Sequence, residues 1–367
     1  MTTNSVDVCH VVNAVDTTSV PADIAVSLAK YTDVRADVLA WFAAEDFEDD
    51  HLVDVYCLDA PDTALGVDRR LLRRARDFLS SYDVVQTHHP HSGTFAKPIA
   101  AAQGTILVST EQNTHGGFTM KGQIGNAVTN PLADVVTCVS ESVRESLAWW
   151  ERYLLAGTDV RVIYNGVDLK RVVESRDEDW DVADVADIDP GSFLVGTAGM
   201  LTEQKAHDVL IRGVAGARER GHDAELVVAG DGGLRADLEA LARELGVAES
   251  VHFLGVIDRT EVYSMMTDLD LYAMPSRWEG FSAAAIEALG LGVPCLFSDI
   301  SEFTKPFTNV AVFHRVDDPA DLSERLCELV EDDQWRTGLG ERGAKRAEDF
   351  TLEEIATQYA SLYNELV

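Results

Sequence analysis

Short apolar runs alternate with helix-period patterns along most of this chain. In the first half, runs at 6–12, 36–42, 83–87, 105–110 and 134–140 are rich in valine and bounded by polar residues. Such near-continuous runs predict parallel strands buried on both faces. Helical spacing falls between them at 21–30, 69–80 and 141–153. A strand–helix–strand rhythm predicts an α/β doubly wound sheet. The rhythm breaks at 171–192, which is acidic and carries a Pro-Gly near its end. This stretch reads as a linker or irregular excursion. The rhythm then resumes, with strands expected at 193–199, 224–230, 250–255, 270–274 and 293–298. Helices are expected at 207–220, 234–245, 282–289 and 319–331. The prediction is two α/β domains, 1–168 and 193–351, separated by 169–192. A last helix at 352–366 is free to pack on either. Ligands in such sheets bind outside the carboxyl ends of the strands, so a cleft between two facing sheets is the expected site.

Composition sharpens this picture. At 367 residues the chain suits two cores better than one. No stretch reaches the ~18 apolar residues of a membrane helix, and no basic region precedes the first apolar run. A soluble, cytoplasmic protein is expected. The charge is extreme, with 63 acids, 30 bases and a net −33. The acids are spread along the chain, and only seven lysines occur. This style is similar to that of proteins from salt-loving archaea. At ~1 M salt the Debye length falls to ~3 Å and the self-repulsion is screened. Folding that requires molar salt is the expectation. Non-specific nucleic-acid binding is not expected, because phosphate contacts need cations. The five cysteines are scattered and show no paired spacing. They read as buried free thiols in a reducing compartment.

Five segments can carry chemistry. In "SRWEGFSAAAIEALGLGVP" (276–294), Glu279 and Glu287 flank a Gly-Phe-Ser turn and a helix start. A helix N-terminus at Gly280, Phe281 and Ser282 suits a phosphate. A carboxylate further in, such as Glu287, suits the two hydroxyls of a ribose. The alternative is a Glu287 paired with a core arginine and a Glu279 that is simply solvated. In "GTAGMLTEQKAHDVLI" (196–211), Gly199 ends a strand and Lys205 leads into a helix. Its ammonium can neutralise a diphosphate, or it is a surface lysine. "AGDGGLR" invites a dinucleotide reading, but Arg235 occupies the third glycine position. A tight strand-to-helix turn is favoured there. "THHPHSG" (87–93) and "TEQNTH" (110–115) each follow a strand. They bring His88, His89, His91, Gln112 and His115 to one cleft wall. No carboxylate or cysteine accompanies the histidines at a ligand spacing, so no metal is expected. Finally, "DRRLLRRARDFL" (68–79) places Arg69, Arg70, Arg73, Arg74 and Arg76 on one helix. Such a helix can rest on an anionic membrane surface, or its arginines meet local acids.

Together these segments resemble a retaining glycosyltransferase of family 4 with the GT-B fold. The carrying residues are Glu279 and Glu287 (E-x7-E), "GLGVP", "GMLTEQKAHDVLI", "AGDGGLR", "FLG", "NGVD", "VSES" and "THHPHSG". The resemblance spans nearly the whole chain and is stronger in the second domain. It implies a nucleotide-sugar donor held mainly by that domain. Glu287 would hold the ribose and Glu279 would lie near the donor sugar. Lys205 and the N–H groups from Gly280 to Ser282 would take the diphosphate. Val256 and Ile257, after Gly255, would meet the base. The last helix would cross back to the first domain. No cofactor or metal is implied, because lysine and a helix N-terminus stabilise the leaving diphosphate. Retention would follow front-face attack, with the leaving phosphate taking the acceptor's proton. The acceptor implied is a glycan or a polyprenyl- or dolichol-linked glycan, and the sugar a hexose. Surface-glycoprotein glycan assembly at the inner face of the membrane fits this habit.

The chain also departs from the family pattern. Met200 stands where an arginine usual to the phosphate loop would be, which shifts the charge onto Lys205. Gln112 stands where relatives often carry a histidine beside the donor sugar. Tyr164 replaces a usual proline before "NGVD". The glycine-rich loop after the first strand is replaced by "NAVDTTSVP". Two other classes stay open. One is a non-catalytic nucleotide-sugar-binding relative. The other is an NAD-dependent oxidoreductase built on "AGDGGLR".

Overall fold

The computed structural model describes residues 5–15, 19–44, 52–61, 68–114, 119–175, 180–189 and 191–367. The chain divides into two compact units: Met1–Gly166 with Leu352–Val367, and Val167–Thr351. Each is built on one all-parallel sheet.

The first unit has seven strands: β1 (Asp7–Val15), β2 (Arg35–Ala44), β3 (Val55–Cys57), β4 (Val84–Thr87), β5 (Ile106–Glu111), β6 (Val135–Cys138) and β7 (Asp159–Val162). Their spatial order is β3-β2-β1-β4-β5-β6-β7, so the winding direction reverses between β1 and β4. Val8, Val12, Val38, Val84, Val108 and Val135 turn one face of the sheet to helix Val20–Tyr31 and the final helix Leu352–Leu366. Pro21 opens the first of these helices, where its missing N–H costs nothing. Tyr359 and Tyr363 of the last helix are fully buried, and the Tyr363 hydroxyl donates to Gln86 Oε1. Gly166 precedes the unit boundary, and a Cβ there would lie 2.9 Å from the Leu352 backbone.

The second unit has six strands: β8 (Phe193–Ala198), β9 (Ala224–Ala229), β10 (Val251–Gly255), β11 (Leu271–Met274), β12 (Cys295–Ser298) and β13 (Val312–His314). They lie in the order β10-β9-β8-β11-β12-β13, again with a reversal at the first strand. Helices His207–Glu219 and Pro319–Glu331 pack on each other over one face, through Val209, Leu210, Val214, Leu322 and Leu326.

Four expectations need correction. The helix expected at 141–153 is two helices, Glu141–Ser146 and Trp149–Leu154. The break is stabilised where Glu151 accepts from the Ala148 N–H at 2.7 Å, which caps a new start. The expected linker at 169–192 carries helices Leu169–Glu174 and Val182–Ala186, capped by Asp168 and Asp181. Both pack on helix Arg259–Asp268, and Val182 is buried, so the segment belongs to the second unit. The first unit ends at Gly166 rather than at 168. Finally, the expected strands are incomplete, since the edge strands β3, β7 and β13 lie outside the predicted runs; "HPHSG", after β4, opens helix Pro90–Gln103. Pro90 takes the first position, and left-handed Gly104 at φ +72° ends the helix.

Candidate functional site

In the second unit, the loops after β8, β9, β10 and β11 all leave the carboxyl edge of the sheet. The loops after β8 and β9 touch backbone to backbone. A Cβ on Gly230 would lie 2.0 Å from the Gly199 carbonyl oxygen, and one on Gly232 2.5 Å from that of Leu201. Gly230 and Gly232 of "AGDGG" therefore serve this close approach. Arg235, at the fingerprint's third glycine, donates to the Phe253 carbonyl at 3.3 Å.

The β8 loop closes on a short turn, Glu203–Lys205, before helix His207–Glu219. Ala206 takes a left-handed φ of +50° there, which costs a residue with a Cβ about 1 kcal/mol. Lys205 Nζ donates to Glu279 Oε1 at 2.6 Å, and Gln204 Nε2 donates to the Trp278 carbonyl at 3.0 Å. Glu279 is buried, and Lys205 keeps about a fifth of its side chain exposed. The two loops are stapled by Arg277. Its N–H donates to the Gln204 carbonyl at 2.8 Å and its Nη1 to that of Glu203 at 2.6 Å. Its Nε meets Asp317 at 2.7 Å and its Nη2 meets Asp208 at 3.2 Å. The sequence gives Arg277 only as a neighbour of "WEGF"; its partners lie 40 to 74 residues away.

Helix Ala283–Gly290 follows, with the Ser282 hydroxyl accepting from the Ala285 N–H at 3.4 Å. Gly280 and Phe281 form the turn before it, and the Phe281 ring lies 6.2 Å from that of Phe350. Glu287 is buried on this helix. Its Oε1 accepts from Arg259 Nη2 at 2.7 Å and from the Tyr263 hydroxyl at 3.3 Å. The arginine partner left open by the sequence is thus present, but it is not a core residue. Arg259 is nearly half exposed, on helix Arg259–Asp268. Nothing among the described residues donates to Glu287 Oε2. Burial, and then the Glu287 charge, push the Tyr263 hydroxyl pKa up. Val256 stands exposed after Gly255 and Ile257 is half-buried, while Met200 is exposed.

The first unit's loops are of a different kind. His10 Nδ1 and His88 Nε2 lie 2.9 Å apart, with the rings stacked. His88 Nδ1 meets Gln112 Nε2 at 3.1 Å, and Gln112 Oε1 accepts from Asn165 Nδ2 at 3.1 Å. Gln112 therefore spends both amide ends inside this row. Burial lowers the pKa of His10 to about 3 and of His89 to about 4, and takes His88 well below its ordinary value. His89 Nδ1 accepts from the Asn13 N–H at 3.3 Å, while exposed His91 lies against Phe42. His115 lies outside the described residues. Among the described residues, no group of three or more histidines, cysteines or carboxylates is placed to hold a metal ion.

A second buried network had no sequence signal beyond a lone lysine in an apolar helix. Lys97 Nζ donates to Asn126 Oδ1 at 3.2 Å and to Asn130 Oδ1 at 2.5 Å. The amide groups of these asparagines donate to Glu111 at 2.9 and 2.5 Å. Burial lowers the Lys97 pKa to about 8 and raises that of Glu111.

Of the arginines on helix Arg69–Leu79, Arg74 donates to the Leu58 carbonyl and the Tyr56 hydroxyl, and Arg76 pairs with Asp77. Arg69, Arg70 and Arg73 are exposed and have no ion pair among the described residues.

Two family models tile the chain. Residues 23–171 match "Glycosyltransferase Family 4", and residues 179–346 match "Glycosyl transferases group 1". The O-antigen biosynthesis glycosyltransferase WclY of Escherichia coli is 27% identical over 58% of this chain and 58% of its own length. The chain thus matches little more than half the length of that curated relative. The N-acetylgalactosamine-N,N'-diacetylbacillosaminyl-diphospho-undecaprenol 4-alpha-N-acetylgalactosaminyltransferase of Campylobacter jejuni is 26% identical over 69% of this chain and 68% of its own length. Among solved structures, Anabaena Alr3699/HepE in complex with UDP and glucose superposes with a TM-score of 0.76. The match covers 98% of this chain and 100% of that one at 17% identity, a likeness of fold. With two Rossmann-like units and both family models in sequence, this chain belongs to the GT-B glycosyltransferases of the family 4 type.

Proposed function

We propose that the protein transfers a hexose from a nucleotide-diphosphate sugar to a glycan or lipid-linked glycan, with retention of configuration. The observation that carries this reading is the Lys205–Glu279 pair, joined across two strand ends beside the start of helix Ala283–Gly290. An ammonium has three donors, and only one is engaged by Glu279. Lys205 can therefore take a diphosphate oxygen while still touching the carboxylate. Glu287 Oε2 is the acceptor for ribose hydroxyls, with Oε1 anchored by Arg259 and Tyr263. Val256 and Ile257 flank the base. Glu279 lies within reach of the donor sugar once the diphosphate sits on Lys205.

In the proposed reaction the bond between the sugar's anomeric carbon and the diphosphate oxygen breaks, and the acceptor hydroxyl bonds that carbon from the same face. The hydroxyl's proton passes to the leaving diphosphate, whose developing charge Lys205 and the helix N-terminus stabilise. No side-chain base is required and no cofactor or metal enters the scheme. The buried histidines, held neutral, leave the first unit's loops to bind hydroxyls rather than charge. The lipid-linked acceptor is suggested by the Campylobacter relative, whose name places its substrate on diphospho-undecaprenol. In this reading the work is done in a saline cell interior, which suits the net charge of −33, and serves surface-glycan assembly at the inner membrane face. Among the described residues, no helix is long and apolar enough to cross a membrane.

Glu287→Ala tests the reading. Nucleotide-diphosphate release from a panel of nucleotide-sugars is expected to fall at least a hundredfold, with the circular dichroism spectrum unchanged. Full turnover in that variant overturns the donor-site assignment. Donor binding without any turnover by the unaltered protein favours the non-catalytic relative.

A further inference from the structure

Carboxylates are unevenly distributed over the first unit. Of the chain's 63 acids, only Asp77, Asp83 and Glu111 fall in residues 69–133, beside seven bases. Glu111 is buried. Helix Pro90–Gln103 packs against helix Arg69–Leu79 and also against helix Met120–Thr129. These three helices, and Trp149–Leu154 after them, connect strands that advance in one direction from β3 through β7. Right-handed crossovers place them all on the sheet face away from helices Val20–Tyr31 and Leu352–Leu366.

This face also shows apolar side chains to solvent. Met120, Ile124 and Val128 recur every fourth residue along one side of their helix and are 75%, 55% and 67% exposed. Trp149 and Tyr153, four apart on helix Trp149–Leu154, are 78% and 77% exposed. The two helices are neighbours, because Gln123 and Asn126 share a small cavity with Ser146, Leu147 and Glu151. At the other end, Arg69 and Arg73 line a groove with Leu72, Phe95 and Ile99. Burying this much aliphatic surface from water is favourable at roughly 25 cal/mol per Å². In a chain of net charge −33, the scarcity of acid over residues 69–133 suits an anionic or apolar partner there.

We propose that this face docks on an anionic lipid bilayer. Met120, Ile124 and Val128 enter the interfacial layer, Trp149 and Tyr153 sit at headgroup level, and Arg69, Arg70 and Arg73 meet lipid phosphates. A second copy is the poorer occupant. A two-fold interface sets a patch against itself, and here it would bring unpaired arginines together. A nucleic-acid backbone matches the arginines but leaves the aliphatic stripe without a partner. The inference rests on this surface alone, and not on the transfer reaction.

Flotation of the full chain with vesicles tests it, at the lowest salt that keeps the native circular dichroism spectrum. Vesicles of equal phosphatidylglycerol and phosphatidylcholine are compared with pure phosphatidylcholine. The unaltered protein is expected to partition about tenfold better onto the anionic vesicles. Met120→Ser with Ile124→Ser and Val128→Ser, all at exposed positions, is expected to lower partitioning at least tenfold on both. Arg69→Glu with Arg73→Glu is expected to abolish the preference for phosphatidylglycerol. The proposal is overturned if the unaltered protein does not float, or if the triple variant floats as well as it does. It is also overturned if light scattering shows a dimer that the triple variant dissolves. Nucleotide-diphosphate release without vesicles reads the donor site separately. Flotation without release counts against the transfer reading alone, and release without flotation against the docking face alone.

Discussion

The loops at the sheet edges of the two units use opposite electrostatics. In the second unit the polar groups are charged and paired across strand ends, each pair with at least one partly exposed partner: Lys205 with buried Glu279, Arg259 with buried Glu287, Arg277 with Asp208 and Asp317. In the first unit the row His10–His88–Gln112–Asn165 is uncharged, with His10, His88 and Asn165 buried and Gln112 half-buried. Charged, half-wet pairs can exchange one partner for an incoming anion at modest cost, since screening already weakens them. A neutral buried row cannot, because each group it loses leaves another without a hydrogen bond. The difference teaches a division of labour: the second unit is built to trade partners, the first to hold a fixed shape.

Breaking the first unit's buried network is expected to give the largest effect. Lys97→Met leaves Glu111 buried without a cation and is expected to cost about 3–5 kcal/mol in denaturant unfolding. Adding Glu111→Gln should recover part of that loss. Equal stability of Lys97→Met and the unaltered chain would contradict a fixed charged network.

The second unit should answer differently. Lys205→Met is expected to lower nucleotide-diphosphate release 10²- to 10³-fold, about 2.7–4 kcal/mol in the transition state. Its stability should change less than that of Lys97→Met, because Lys205 keeps contact with solvent. Combining it with Glu279→Gln should restore stability but not turnover. Recovery of turnover in the double variant would make the pair structural.

Acid sharpens the comparison further. Burial holds His10 near 3, half-buried His89 near 4, and buried His207 of the second unit near 4 in the folded chain. All three titrate near 6.5 when unfolded. Below pH 6.5 the unfolded chain binds protons that the folded chain refuses, so stability falls as pH falls. Each group is expected to contribute about 1.4 kcal/mol per pH unit until its folded value is reached. Asn in place of His10 should flatten the acid limb of the unfolding profile, and an unchanged limb would exclude His10 as a source. The smallest effect expected is at Asp68, whose carboxylate caps helix Arg69–Leu79 through two 2.8 Å bonds. Asp68→Ala should cost about 1 kcal/mol in the same measurement.

Ten of the thirteen strands were legible because valine-rich runs bounded by glycine or aspartate leave few other readings, whereas the edge strands β3, β7 and β13 are three or four residues long and too short to show a period. Glu287 and the turn at Gly280 to Ser282 were legible as one segment for the same local reason. The partners were not. Arg259 reaches Glu287 across 28 residues, Lys205 reaches Glu279 across 74, and His10 reaches His88 across 78. No local period encodes such pairings. Helix Met120–Thr129 was missed because glycines at 122 and 125 weaken its propensity and its apolar stripe faces outward. A helix whose hydrophobic side is exposed defeats the assumption that periodicity points to the core.

The donor-site assignment is tested most directly by ligand binding to Glu287→Ala and Lys205→Met, titrated with a nucleoside and its diphosphate. With the base that the unaltered protein prefers, Glu287→Ala is expected to lose at least tenfold in affinity for both ligands, because both carry the ribose. Lys205→Met is expected to lose affinity for the diphosphate alone. Nucleoside binding to Glu287→Ala at the unaltered affinity would contradict the account.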